Sequence, residues 1–164
     1  MIKFENVTKS FEHKVIDDLS FDIKNGERFG IFGKSGIGKT TLINLILGLE
    51  KQDSGKIYKD FSKASVIFQE DRLIDEISAF DNLKIVNDNA RLIEETLRIL
   101  NIEDLQTPIS KFSGGMKRRV AIARALIFDG DILIMDEPFA GIDEDNKNLS
   151  LIHISEPTRL LSIS

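Results

Sequence analysis

Gly33-Lys34-Ser35-Gly36-Ile37-Gly38-Lys39-Thr40 decides the fold. It fits G-x-x-x-x-G-K-[ST], in which glycines let the backbone approach a phosphate chain and successive N–H groups converge on it. Arg28-Phe29-Gly30-Ile31-Phe32, just before it, is apolar enough for a buried strand. Thr40 to Leu47 has helical spacing, and Gly48 is a helix stop. A strand, a glycine loop and a helix in this order aim the helix's positive end at a bound anion. Lys39 then reaches the β- and γ-phosphates, and Thr40 ligates magnesium. The alternative is a glycine turn that binds nothing; the strand before it and the helix after it argue against that.

Working outward, Ile2 to Val7 alternates apolar and polar residues as an edge strand does. Leu19-Ser20-Phe21-Asp22-Ile23 is a second strand, and Asn25-Gly26 is a turn signal. Asp53-Ser54-Gly55 reads as a turn, Lys56-Ile57-Tyr58 as a strand, and Val66-Ile67-Phe68 as a short buried strand ending at Gln69. Beyond it the pattern becomes helical over Ile77 to Val86 and Arg91 to Ile102, with Leu92, Thr96, Ile99 and Leu100 as the marking residues. Gly115 to Phe128 is a further helix, stopped by Asp129-Gly130. Ile132-Leu133-Ile134-Met135 is a continuous apolar run, the mark of a strand covered on both faces. Asp136-Glu137 ends it. An aspartate there can hold magnesium, directly or through water, and the next carboxylate can polarise an attacking water as general base. Alone, the pair could be two solvated carboxylates; beside a phosphate loop it has a purpose.

The composition sets bounds. The 164 residues suffice for about one domain, and 41% hydrophobic residues can build a core. A net charge of -5 argues against a nucleic-acid partner. Without cysteine there is no disulfide and no thiolate metal site. No apolar run approaches the ~20 residues that span a bilayer, and Met1-Ile2-Lys3-Phe4-Glu5 lacks the apolar stretch of a signal peptide. The expectation is a soluble, cytoplasmic protein that docks onto another subunit if it works at a membrane.

The order of these elements, with Phe112-Ser113-Gly114-Gly115-Met116 opening the last helix, resembles the ATP-binding-cassette (ABC) ATPases. The resemblance implies an α/β fold: a P-loop nucleotide-binding core, an antiparallel β subdomain at the N-terminus and an inserted helical subdomain at about residues 72–127. It implies ATP and Mg2+ as cofactors. Phe11, Gly33, Ser35, Gly36, Gly38, Lys39, Thr40 and Thr41 would hold the nucleotide, with Phe11 stacked on adenine. Thr40, Gln69 and Asp136 would hold the metal, and Glu137 and Gln69 would serve catalysis. Ser113, Gly114 and Gly115 match the L-S-G-G-Q stretch that closes on the γ-phosphate of a partner subunit. Met116 replaces its glutamine and cannot hydrogen-bond in the same way. Ser113 also suits a plain helix N-cap, and the two readings are compatible. Lys117, Arg118, Arg119 and Arg124 read mostly as a solvated helix face, and His13 as part of a hairpin near Phe11. Ala140-Gly141-Ile142-Asp143 matches a loop that contacts the partner.

The resemblance further implies a second ATP-binding subunit in a head-to-tail dimer, membrane permease subunits, and a peripheral place on the cytoplasmic face of the membrane. Phe68-Gln69-Glu70-Asp71-Arg72-Leu73 looks like the F-Q-E-x-R-L segment of nitrate, taurine and sulfonate importers. Ile74-Asp75-Glu76 replaces the apolar residues that follow it there. Two rivals stay open: a non-transport ABC ATPase, and a fragment that binds ATP without turnover.

The likeness covers residues 1–149. From Ser150 the chain reads as a non-native tail, interrupted by Pro157, and the family member as truncated at its C-terminal end. His153 reads as a decoy for a switch histidine that follows a strand in the family. The expectations are a poor ATPase, a strand at Ile132–Met135 left partly wet, and a tail at 150–164 that can be deleted without effect.

Overall fold

The computed structural model describes residues 1–137 and, through their backbone pairing, residues 160–163. Strands β1 (Ile2–Ser10) and β2 (Lys14–Ile23) form a hairpin, followed by β3 (Phe29–Ile31), helix α1 (Lys39–Leu47), β4 (Ser54–Lys59) and β5 (Ala64–Ile67). Every regular element from there to the next strand is helical: α2 (Ala79–Lys84), α3 (Ala90–Ile99), a 3-10 turn at Ile109–Lys111 and α4 (Gly114–Ile127). Strands β6 (Ile132–Asp136) and β7 (Leu160–Ile163) complete the described elements.

The first sheet is antiparallel, in the order β2-β1-β4. β1 is therefore its centre and not an edge. Its alternation, with Ile2, Phe4 and Val7 buried, reports a sheet with one wet face. Gly55 sits where β4 crosses an irregularity in β1 between Glu5 and Thr8. Its φ is +83°, and a Cβ there would lie 2.3 Å from the Asn6 carbonyl oxygen. Only glycine lets the two backbones meet so closely. Phe4 stacks on Phe21 at 4.6 Å and Phe21 on Phe29 at 5.5 Å, which seats β3 against this sheet.

The second sheet is parallel, in the order β3-β7-β6-β5. β6 is buried along its whole length, as its apolar run requires. Its side chains divide by period two. Ile132 and Ile134 join Leu42, Ile43, Leu45 and Ile46 of α1 and the inner face of the antiparallel sheet. Leu133 and Met135 join Val120 and Ile122 of α4, Leu83 of α2 and Leu97 of α3. Each such side chain contributes about 1.5–3 kcal/mol when fully buried, so this one short strand is a main tie between the two cores.

Three expectations need correction here. Ile132–Met135 is dry, not partly wet, with each residue at most 4% exposed. Leu160–Ile163 does not stay outside the fold: it pairs between β3 and β6. Parallel pairing asks only for an extended backbone at the right place, so Pro157, three residues upstream, does not prevent it. And α3 is rotated from the face read above: Ile93, Thr96, Leu97 and Leu100 are buried, whereas Leu92 and Ile99 are exposed. Ala140 to Asp143 and His153 lie outside the described residues.

Candidate functional site

β3 delivers the chain to the glycine loop, and α1 leaves it. α2, α3 and α4 begin with side-chain caps: Ser78 accepts from Asp81 N–H, Asn89 from Leu92 N–H and Ser113 from Met116 N–H. α1 begins at Gly38, in the left-handed region, with no side-chain cap. Its first N–H groups have no carbonyl one turn earlier to bind, and they face the cleft with the positive end of the helix dipole. Gly38 is demanded by space as well as by its φ of +107°, since a Cβ would meet Val15 Cγ1 at 2.7 Å.

The cleft has a volume of about 270 Å³ and is lined by Phe11, Val15, Ser35, Gly36, Gly38, Lys39, Thr40, Thr41, Gln69, Asp136 and Glu137. Residues from four separate parts of the sequence thus converge on one place. Lys39 Nζ donates to the Gly33 carbonyl at 2.7 Å, which holds the ammonium across the loop. Thr40 Oγ1 donates to Asp136 Oδ2 at 3.1 Å, joining residues 96 positions apart. Asp136 is buried at 3% exposure. Glu137, next to it, is half-buried and holds φ at +47°, a conformation that costs a non-glycine residue energy and clusters at functional sites. Phe11 is 56% exposed at the rim, with Lys9 Nζ 4.9 Å from its ring centroid.

The donor set suits a hard cation that keeps much of its coordination for phosphate and water. Thr40 and Asp136 supply neighbouring oxygens, and Gln69 stands at the same cleft. Among the described residues no three His, Cys, Asp or Glu side chains form a metal cage, so a metal here would need the phosphates as ligands.

Ser113, Gly114 and Gly115 are not brought into this cleft. They lie at the start of α4, where Ser113 and Gly114 are exposed and a Cβ on Gly114 would meet nothing within 4 Å. Two residues escaped the sequence reading. Val15 lines the cleft, with no signal beyond its nearness to Phe11. Arg118 is 3% exposed, contrary to the expectation of a solvated helix face. It stood in a run of three basic residues, and nothing in that run marked it as the buried one.

Comparisons with known proteins agree with this fold. The sequence family described as "ABC transporter" matches residues 16–140. The glucose import ATP-binding protein GlcV of Saccharolobus solfataricus is 32% identical over 187 aligned positions, covering 98% of this chain and 53% of that protein. The Nod factor export ATP-binding protein I of Cupriavidus metallidurans is 32% identical over 170 positions, covering 91% of this chain and 56% of the relative. The chain therefore spans about half the length of the curated relatives it matches. A putative ABC transporter ATP-binding protein from Pyrococcus furiosus superposes with a TM-score of 0.88 at 26% identity, covering 99% of this chain and 90% of that one. A dimeric ATP-binding cassette in a post-hydrolysis state, bound to ADP and Pi, superposes with a TM-score of 0.86 at 25% identity, covering 100% and 88%.

Proposed function

This chain belongs to the ABC transporter family, and from that premise we propose that it is the part of a transport ATPase that binds MgATP and, in the whole protein, hydrolyses it. The observation that carries the reading is the Thr40–Asp136 hydrogen bond inside a cleft whose floor is the uncapped start of α1. It brings a phosphate cradle and a metal-type oxygen pair to one point.

The chain's residues divide the work by position. Gly36, Gly38 and the first N–H groups of α1 receive the β-phosphate region. Lys39 leaves the Gly33 carbonyl for the β/γ oxygens. Thr40, Asp136 and Gln69 would hold Mg2+, which neutralises charge on those oxygens when bound. Glu137 orients the attacking water and takes its proton. Phe11 offers a ring face for adenine, leaving the opposite face to Lys9. Ser113 and Gly114 are exposed, Gly115 is half-buried, and all three lie outside the cleft, which suits contact with the γ-phosphate held by a second copy in a head-to-tail dimer. Permease subunits and a peripheral place on the cytoplasmic face of the membrane complete the reading. Import is proposed from Phe68 to Leu73, since the named relatives include both an importer and an exporter.

Glu137→Gln is the direct test. The amide keeps shape but cannot accept the proton, so in the full-length protein MgATP affinity should stay while kcat falls by about 10²–10⁴-fold. ATP-bound dimer should accumulate on size-exclusion chromatography. Phosphate release near the wild-type rate would remove Glu137 from the role of base.

A further inference from the structure

Arg118 is the most deeply buried cation among the described residues that the site above does not use. Its guanidinium lies between two chain segments. Nη1 donates to the Phe68 carbonyl at 2.5 Å and to Asp71 Oδ1 at 3.1 Å, with the Gln69 carbonyl at 3.4 Å. Nη2 donates to the Glu137 carbonyl at 2.8 Å and the Asp136 carbonyl at 3.3 Å. One plane of fixed donors thus bridges the segment bearing Gln69 and the strand end bearing Glu137.

A second arginine of α4 extends the grip. Arg124 donates to the Asp71 carbonyl at 3.0 Å and the Arg72 carbonyl at 2.9 Å. Burial lowers its pKa and the Asp71 charge opposes the shift. Among the described residues, two of the five non-glycine residues with positive φ are Arg72 and Glu137. Both have their carbonyl held by an arginine of this helix. Such backbone conformations persist when their surroundings over-determine them, and here the surroundings are these two guanidinium groups. Arg72 is also stacked on Phe68, 3.7 Å from the ring centroid, which ties the two ends of the 68–72 segment together.

We propose that Arg118 is a positioning residue that holds the Gln69 segment and Glu137 to a single point on α4, so that the two take up and leave their working places together. The proposal rests on the roles of Gln69 and Glu137 given above. A lysine could not do this, because a point charge on a flexible stem cannot hold two sets of carbonyls in one plane. Arg124 restrains the same segment but does not reach Glu137, which makes it the natural control.

The test is hydrogen exchange of the whole chain by NMR, with and without MgATP, on wild type, Arg118→Gln, Arg118→Lys and Arg124→Gln. Arg118→Gln should speed exchange at 68–72 and at 136–137 together while β1 and α1 stay protected. Arg124→Gln should affect only 71–72. In the full-length protein Arg118→Gln should lower kcat on the order of 10- to 100-fold with KM for ATP unchanged, and Arg118→Lys should recover part of it. Exchange unchanged at either segment would overturn the proposal, as would an equal rise throughout β1 and α1. If Arg118→Gln does not fold, Arg118→Lys must show the same paired change in smaller degree, and no change in it overturns the proposal. If wild type binds no MgATP, the functional reading falls, and exchange without nucleotide still decides the link.

Discussion

Truncating the chain after residue 159 is expected to cost on the order of 5 kcal/mol of stability and to abolish nucleotide binding. β7 pairs with β3 over Phe29–Ile31 and with β6 over Leu133–Asp136. At roughly 0.5–1.5 kcal/mol per net hydrogen bond, losing both ladders takes away a large part of a domain's ~5–15 kcal/mol. Among the described residues β3 has no other strand neighbour. Since β3 leads into the glycine loop, the loop would lose its anchor along with the sheet. This reverses the expectation from sequence that the segment after Ser150 is dispensable. Denaturant unfolding of the two chains checks it: an unchanged midpoint and unchanged ATP affinity would show that β7 adds nothing.

Lys39→Ala is expected to weaken MgATP binding about 10- to 100-fold with little change in stability. A hydrogen bond from a charged group contributes about 1.5–3 kcal/mol, and each 1.4 kcal/mol is tenfold in affinity. Among the described residues Lys39 Nζ donates to the Gly33 carbonyl at 2.7 Å in an exposed loop, so water can replace the lysine there at small cost. Calorimetric titration and a melting curve separate the two quantities. Equal affinity in the two proteins would remove Lys39 from the phosphate site, and a large drop in melting temperature would make the lysine a structural strut instead.

The parts legible in sequence are those where one local rule suffices. Gly33 to Thr40 carries its own geometry, and α1 stops at Gly48 as read, while it begins at Lys39, one residue before the Thr40 of the reading. The run Ile132–Met135 announced a strand buried on both faces, which β6 is. The meeting of Thr40 with Asp136 followed from the two motifs together. What was hidden depends on pairing at a distance. Alternation in β1 reports which face is wet and says nothing of how many neighbours a strand has. Arg118 and Arg119 differ by about 100° around α4, and only the packing of 68–72 shows which one turns inward. Leu160–Ile163 pairs through its backbone, and backbone pairing leaves little trace in side-chain identity.

Placing β7 between β3 and β6 also shapes how the molecule comes into being. Phe29 finds its register partner at Leu161, 132 residues later. The β1–β2 hairpin closes over a few residues and can form as soon as it is made. β3 must wait for a strand more than a hundred residues downstream, and contacts of such long range make folding slow. A chain emerging from the ribosome would therefore hold an early antiparallel ribbon and a late nucleotide cradle. Refolding followed by two probes, hairpin amides and bound ATP, should show the cradle lagging behind the ribbon. Simultaneous recovery of both would mean that β3 is held in place before β7 arrives.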